Sequence, residues 1–169
     1  MSETAMNTLQ AYVSAAGLEE IELWVAKYPA DQKQSAVMST LRIIQEEQGY
    51  LTAEAMIAAA DYLDMMPITV FEIANFYTMY EREPVGQHVI SVCTNISCQL
   101  RDSATIVKHL ENKLDIKCGE TTKDKRFTLR TVECLGACVN APMMQIDKTF
   151  HECLTPALVD NILNHYNEV

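Results

Sequence analysis

Cysteine is absent from the first 92 residues; all six cysteines, at 93, 98, 118, 134, 138 and 153, lie in the second half of the chain. Long apolar runs are absent too. No stretch approaches the ~20 residues a membrane helix needs, so direct membrane insertion is not expected. Positive charge is scarce: 13 basic against 23 acidic residues leave a net charge of -10. Such a chain repels phosphate backbones and anionic lipid heads, which argues against nucleic acid and membrane surfaces and favours a positively charged protein partner. Met1 to Gln10 has neither a basic n-region nor an apolar h-region, and it lacks Arg. It reads as neither a secretory signal nor a transit peptide, and the expected compartment is the cytosol or a comparable reducing space. The cysteines are therefore read first as metal ligands or thiols rather than disulfides. No G-x-G-x-x-G follows a strand-like run, so a dinucleotide-binding fingerprint is missing from this sequence.

What is present suits a folded protein. A chain of 169 residues allows one domain or two small ones, and 49% apolar with 21% charged residues is an ordinary globular balance. The two halves differ in pattern. In the first, Leu18, Ile21, Val25 and Tyr28 repeat at helical spacing until Pro29. Val37, Leu41 and Ile44 form a second stripe, and Gly49 stands where a helix C-terminus favours a left-handed residue. Thr52 can cap a third helix bearing Met56, Ala59, Ala60 and Leu63, interrupted at Met66-Pro67. Thr69 and Glu72 suggest a capping box that opens a fourth helix carrying Ile73, Phe76, Tyr77 and Tyr80. Residues 1–81 thus read as a small helical bundle, and residues 82–87 as a linker.

Residues 88–169 change character. A β-prone run from His88 to Val92 ends in Cys93, Ser103 to Leu114 reads as a helix, and Phe127 to Glu133 is a strand that ends in Cys134. Met143 to Ile146 and Thr149 to His151 are two further strands about an Asp147-Lys148 turn. Thr155-Pro156 opens a last helix with a capping Thr and Pro at the first helical position. The order β-α-β-β-β-α suggests helices on a small mixed sheet, which makes the whole chain α+β.

In Cys93-x4-Cys98 and Cys134-x3-Cys138 the first cysteine ends a strand and the second lies in the loop after it. If those strands are neighbours, both loops meet at one end of the sheet and four thiolates can converge. Gly136 and Ala137 are small enough to let backbone N–H groups approach an inorganic centre. Four thiolates select soft metals, and the spacing leaves both zinc and a [2Fe–2S] cluster open. Neither loop holds the two His of a Rieske centre, and the C-x-x-C of a thioredoxin-type redox thiol is absent.

Longer strings narrow this. Val92 to Arg101 (V-C-T-N-I-S-C-Q-L-R), Gly119-Glu-Thr-Thr122, Asp124, Phe127-Thr-Leu129 and above all Val132 to Met143 (V-E-C-L-G-A-C-V-N-A-P-M) resemble the thioredoxin-like [2Fe–2S] ferredoxin domain found in the E-type subunits of NADH:quinone oxidoreductase, respiratory complex I. In mitochondria the counterpart is the small flavoprotein-fraction subunit. The first half is similar to that family at Lys27-Tyr-Pro29, Leu41 through Gln45, Gly49-Tyr-Leu51, Phe76 to Met79 and Pro84-Val-Gly86, so the likeness runs from about residue 17 to 168. Asp124-Lys-Arg-Phe127 and Arg101-Asp-Ser103 depart from many bacterial members and look closer to the mitochondrial type. That favours complex I over the NAD-linked hydrogenases and formate dehydrogenases that reuse this subunit.

The resemblance implies an α/β thioredoxin-like domain after the bundle. It implies one [2Fe–2S] cluster held by Cys93, Cys98, Cys134 and Cys138, and leaves Cys118 and Cys153 as free thiols or small core residues. It implies an electron carrier that exchanges single electrons with FMN on an NADH-binding flavoprotein partner and assembles with further iron–sulfur subunits of the peripheral arm. Its place would be the cytoplasmic face of the inner membrane, or the matrix side in mitochondria. The chain's acidity should lower the cluster's potential. Phe76, Tyr77 and Tyr80 are expected either to dock a partner through exposed apolar groups or to pack in the bundle core, His88, His109 and His165 to be surface or structural residues, and Pro142 to follow a cis bond.

Overall fold

The computed structural model describes residues 8–168. Residues 1–7, part of the Met1 to Gln10 segment considered for a leader, lie outside the described residues. The chain divides between Pro84 and Val85 into two compact units. Among the described residues no helix is long and apolar enough to cross a membrane.

The first unit is helical: α1 (Ala15–Val25), α2 (Val37–Gln48), α3 (Ala53–Tyr62) and α4 (Pro67–Phe76), with short 3₁₀ turns before α1 and α2. Ser14 starts α1 by accepting a hydrogen bond from Gly17 N at 3.1 Å, and Thr52 starts α3 by accepting one from Ala55 N at the same distance. Gly49 ends α2 with φ of 83°, donating to Gln45 O. Ile21, Leu41, Ile44, Leu51 and Leu63 are fully buried between these helices.

Two expectations fail in α4. The helix begins at Pro67 with Met66 as its N-cap and no side-chain cap, so Thr69 and Glu72 lie inside the helix rather than framing its start. Proline at the first position fixes φ and loses no intrahelical bond, which outcompetes a start three residues later. The helix also stops at Phe76, before Tyr77 and Tyr80. Tyr80 is not a surface group: it is 7% exposed and its hydroxyl donates to Met38 O at 2.8 Å. Burial pushes its pKa up to about 12. Phe76 and Tyr77 are exposed, with rings edge to face.

The second unit holds β1 (His88–Cys93), α5 (Ile96–Leu100), α6 (Ser103–Leu114), β2 (Phe127–Val132), β3 (Met144–Ile146), β4 (Thr149–His151) and α7 (Pro156–Glu168). The strands form one sheet in the order β2-β1-β3-β4, with β1 parallel to β2 and antiparallel pairs elsewhere. Ile90, Val92, Leu129, Met144 and Ile146 meet Ile106 and Leu110 of α6 and Val159 and Leu163 of α7 in a hydrocarbon core. Thr155 caps α7 by accepting from Leu158 N at 3.2 Å. Gly86 donates to Thr128 Oγ1 at 2.7 Å and sits hard against the start of β2. The Ala141–Pro142 peptide is cis, as expected.

Candidate metal centre

The parallel pairing of β1 with β2 brings the cysteine segments together. Their register sets Cys93 opposite Val132, so Cys134 follows only two residues past the end of β2, at the same edge. Three bonds fix that edge: Thr94 N and Thr94 Oγ1 donate to Val132 O at 3.0 and 3.3 Å, and Cys93 N donates to Met143 O at 3.2 Å. The Cys93 Sγ–H reaches Glu133 O at 3.4 Å.

The second cysteine of each pair is not in an irregular loop. Cys98 sits in the single-turn helix α5, which Asn95 caps by accepting from Ile96 N at 2.8 Å. The turn buries the Cys98 sulfur beside Cys93 rather than leaving it outside. Cys138 opens a 3₁₀ turn, Cys138–Asn140. Gly136 reaches it through a φ of 84°, and no atom lies within 4 Å of where its Cβ would be. The loop is held from the other side, where Cys153 N donates to Asn140 O at 2.7 Å and Leu154 N to Pro142 O at 2.9 Å.

The four sulfurs fall into two environments. Cys93 and Cys98 are 3% and 1% exposed, while Cys134 and Cys138 lie at the surface. The buried pair belongs to a small apolar cluster with Ala141 and Met143, edged by Leu135 and Ala137 and separate from the main core. Burial pushes the Cys98 thiol up, helped by a hydrogen bond with Cys93 and by the charges of Cys93 and Cys138, while a backbone hydrogen bond from Met143 acts the other way. That last contact matters for fit, because a backbone N–H aimed at a ligand sulfur stabilises its thiolate. Among the described residues no three His, Cys, Asp or Glu side chains are grouped to hold a metal ion. Cys93 and Cys98 are in mutual contact and Cys138 is near enough to act on Cys98 through its charge, a donor chemistry that fits a group taking thiolates in pairs.

Cys118 is half-buried against the sheet core, where burial raises its thiol pKa, and Cys153 is exposed with φ of 51°. The histidines lie away from the sulfurs. His88 Nδ1 is 2.7 Å from Asp147 Oδ2, His109 Nε2 is 3.0 Å from Asp160 Oδ1, and His151 and His165 flank Tyr166. A cleft of 390 Å³ opens between Lys113, Lys123, Asp124, Phe127 and Asn167, at the start of β2 and so at the other end of the sheet.

Comparison with known proteins shows the family of the chain. The thioredoxin-like [2Fe-2S] ferredoxin family model matches residues 21–167. The mitochondrial NADH dehydrogenase [ubiquinone] flavoprotein 2 of Dictyostelium discoideum is 44% identical over 148 residues, which span 87% of this chain and 60% of that protein. An E-type NADH-quinone oxidoreductase subunit of Rhizobium meliloti is 43% identical over 148 residues, covering 88% of this chain and 87% of that one. Among solved structures, the air-oxidised NAD+-reducing [NiFe]-hydrogenase superposes with a TM-score of 0.66 at 20% identity, over 76% of this chain and 22% of that chain. At that identity the likeness speaks to fold alone.

Proposed function

We infer the function of a chain that belongs to the thioredoxin-like [2Fe-2S] ferredoxin family. It is an electron-transfer subunit of an NADH:quinone oxidoreductase, and Cys93, Cys98, Cys134 and Cys138 hold its cluster. The observation that carries this reading is the β1–β2 register, which sets Cys93 beside Val132 and delivers both cysteine pairs to one edge of the sheet.

When bound, a [2Fe–2S] cluster supplies storage and release of one electron. The chain's own residues do the rest. Cys93 and Cys98 anchor from a water-poor pocket with Ala141 and Met143, and the Met143 backbone supports the Cys98 sulfur. Cys134 and Cys138 present the outer edge, where a redox partner approaches. In this reading residues 1–81 and 88–169 are two domains joined by 82–87, which the division between Pro84 and Val85 supports. The partner is an NADH- and FMN-binding flavoprotein, met on the cytoplasmic or matrix face of the membrane with further iron–sulfur subunits. The names of the relatives support that assignment, as does the lack of a dinucleotide fingerprint in this sequence.

The test is anaerobic purification, iron and acid-labile sulfide analysis, and EPR after dithionite reduction. About two irons and two sulfides per chain with a spin-half signal are expected. Cys134→Ala should abolish or strongly alter that signal. A colourless protein with one zinc and no sulfide after reconstitution would sink the assignment. Co-purification with a hydrogenase or formate dehydrogenase instead of a quinone reductase would move the same carrier to a different machine.

A further inference from the structure

Side chains alternate across a strand, so the sheet of the second unit has two unlike faces. Ile90 and Val92 of β1 and Leu129 of β2 enter the hydrocarbon core under α6 and α7. The residues between them, Ser91 and Cys93 of β1 and Arg130 and Val132 of β2, point to the other face. On that face Arg130 and Ser91 are cross-strand partners, and Arg130 Nε donates to Ser91 Oγ at 2.9 Å. Ser91 is 6% exposed and Arg130 is half-buried, so the guanidinium is tethered and partly removed from water. Cys93 lies two residues further along the same strand and face, about 7 Å at the usual strand rise.

We propose that Arg130 is a charge-tuning residue that raises the reduction potential of the site held by Cys93. The proposal rests on the cluster assignment above. Reduction there adds one electron, given by the partner's dihydroflavin or by dithionite in the assay; no bond is made or broken and no proton is needed. The formal charge of the four-thiolate centre goes from about -2 to about -3. A chain with a net charge of -10 resists that addition, and a fixed cation close by opposes the resistance. Arginine keeps its charge throughout the working pH range, so the effect is constant with pH. Partial burial limits screening by salt. At a separation of roughly 7–12 Å and an effective dielectric between surface and bulk values, the reduced-to-oxidised ratio at a fixed solution potential changes about three- to tenfold. Tenfold corresponds to 59 mV for one electron.

The experiment is an EPR-monitored redox titration of the full chain with its cluster, comparing wild type with Arg130→Gln, Arg130→Met and Arg130→Lys, alongside iron and sulfide analysis. The neutral variants should keep both irons and show the three- to tenfold fall, and the lysine variant should restore the ratio to within about twofold of wild type. Loss of iron from the neutral variants while Arg130→Lys retains it overturns the proposal, because the charge then holds the site together rather than setting its potential. An unchanged ratio in iron-replete neutral variants overturns it. So does a lysine variant that falls as far as glutamine, or loses iron as glutamine does, because then shape and not charge is at work. Failure of the wild type itself to hold iron and sulfide would instead overturn the cluster assignment.

Discussion

Gly86→Ala offers a sharp test of the architecture that places the cysteines. Gly86 leads into β1 and lies against the backbone of the strand paired with it. A Cβ there would stand 2.7 Å from Phe127 C, 2.9 Å from Phe127 N and 3.0 Å from Arg126 C. These are main-chain atoms at the first rung of the β1–β2 ladder, not the tip of a flexible side chain. Carbon contacts settle near about 3.5–4.0 Å, so the two backbones must part by roughly 0.5–1 Å. The rungs most exposed to that shift are Gly86 N to Thr128 Oγ1 at 2.7 Å, Gln87 N to Lys125 O at 2.9 Å and His88 N to Arg126 O at 2.8 Å.

Overpacking of this kind costs about 1–3 kcal/mol, and weakening one buried hydrogen bond adds about 0.5–1.5 kcal/mol. A total near 2–4 kcal/mol would lower Tm by roughly 8–32 °C for a unit of this size. Thermal melts followed by far-UV circular dichroism, and by loss of visible absorbance in the cluster-loaded protein, measure it. Both midpoints should fall together, because the same pairing supports the sheet and the cysteine edge. A variant melting within about 2 °C of wild type would refute the reasoning, since the close approach of Gly86 to β2 would then carry no cost.

Other substitutions probe different forces. Tyr80→Phe leaves Met38 O without its buried donor and should cost about 1–3 kcal/mol in urea unfolding near pH 8. The raised Tyr80 pKa, from an ordinary 10.0 to about 12, means that its stabilisation is whole below pH 10 and is lost as pH climbs through about 12, so wild type should show an alkaline decline that Tyr80→Phe lacks. His151 is shifted the other way: burial, then the nearby His165, lower its pKa below 6.5, so the unfolded chain takes up the proton first. Stability should be full above that pH and decline as pH falls below it, and His151→Phe should flatten the slope between pH 7 and 5. Gly136→Ala meets no neighbouring atom yet forces a left-handed backbone at φ of 84°, costing about 1–2 kcal/mol in chemical unfolding, while Gly136→Asn should cost less.

The residues that sequence reading places well are those whose structure is set locally or by strand period. Ser103 to Leu114, Thr149 to His151, the Thr52 and Thr155 caps and the left-handed Gly49 all depend on neighbours within a few positions. The meeting of the two cysteine segments was legible for a further reason. Two strands ending in C-x4-C and C-x3-C can bring four sulfurs together only as neighbours, and β1 and β2 are neighbours in parallel register. Where two local signals competed, the weaker one misled: Thr69 and Glu72 matched a capping box, but Pro67 had already fixed the backbone of the first turn. Other features were not legible because their partners are remote in the chain. Tyr80 reads as well for a docking surface as for bundle core until its hydroxyl finds Met38 O, 42 residues earlier. Arg130 looks like an ordinary charged residue in a strand until the register sets it against Ser91, on the face that carries Cys93. Motif reading finds the atoms that hold a cofactor, because ligands need fixed residue types at fixed spacing. The groups that tune it need only charge and proximity, so they emerge when the strands are paired.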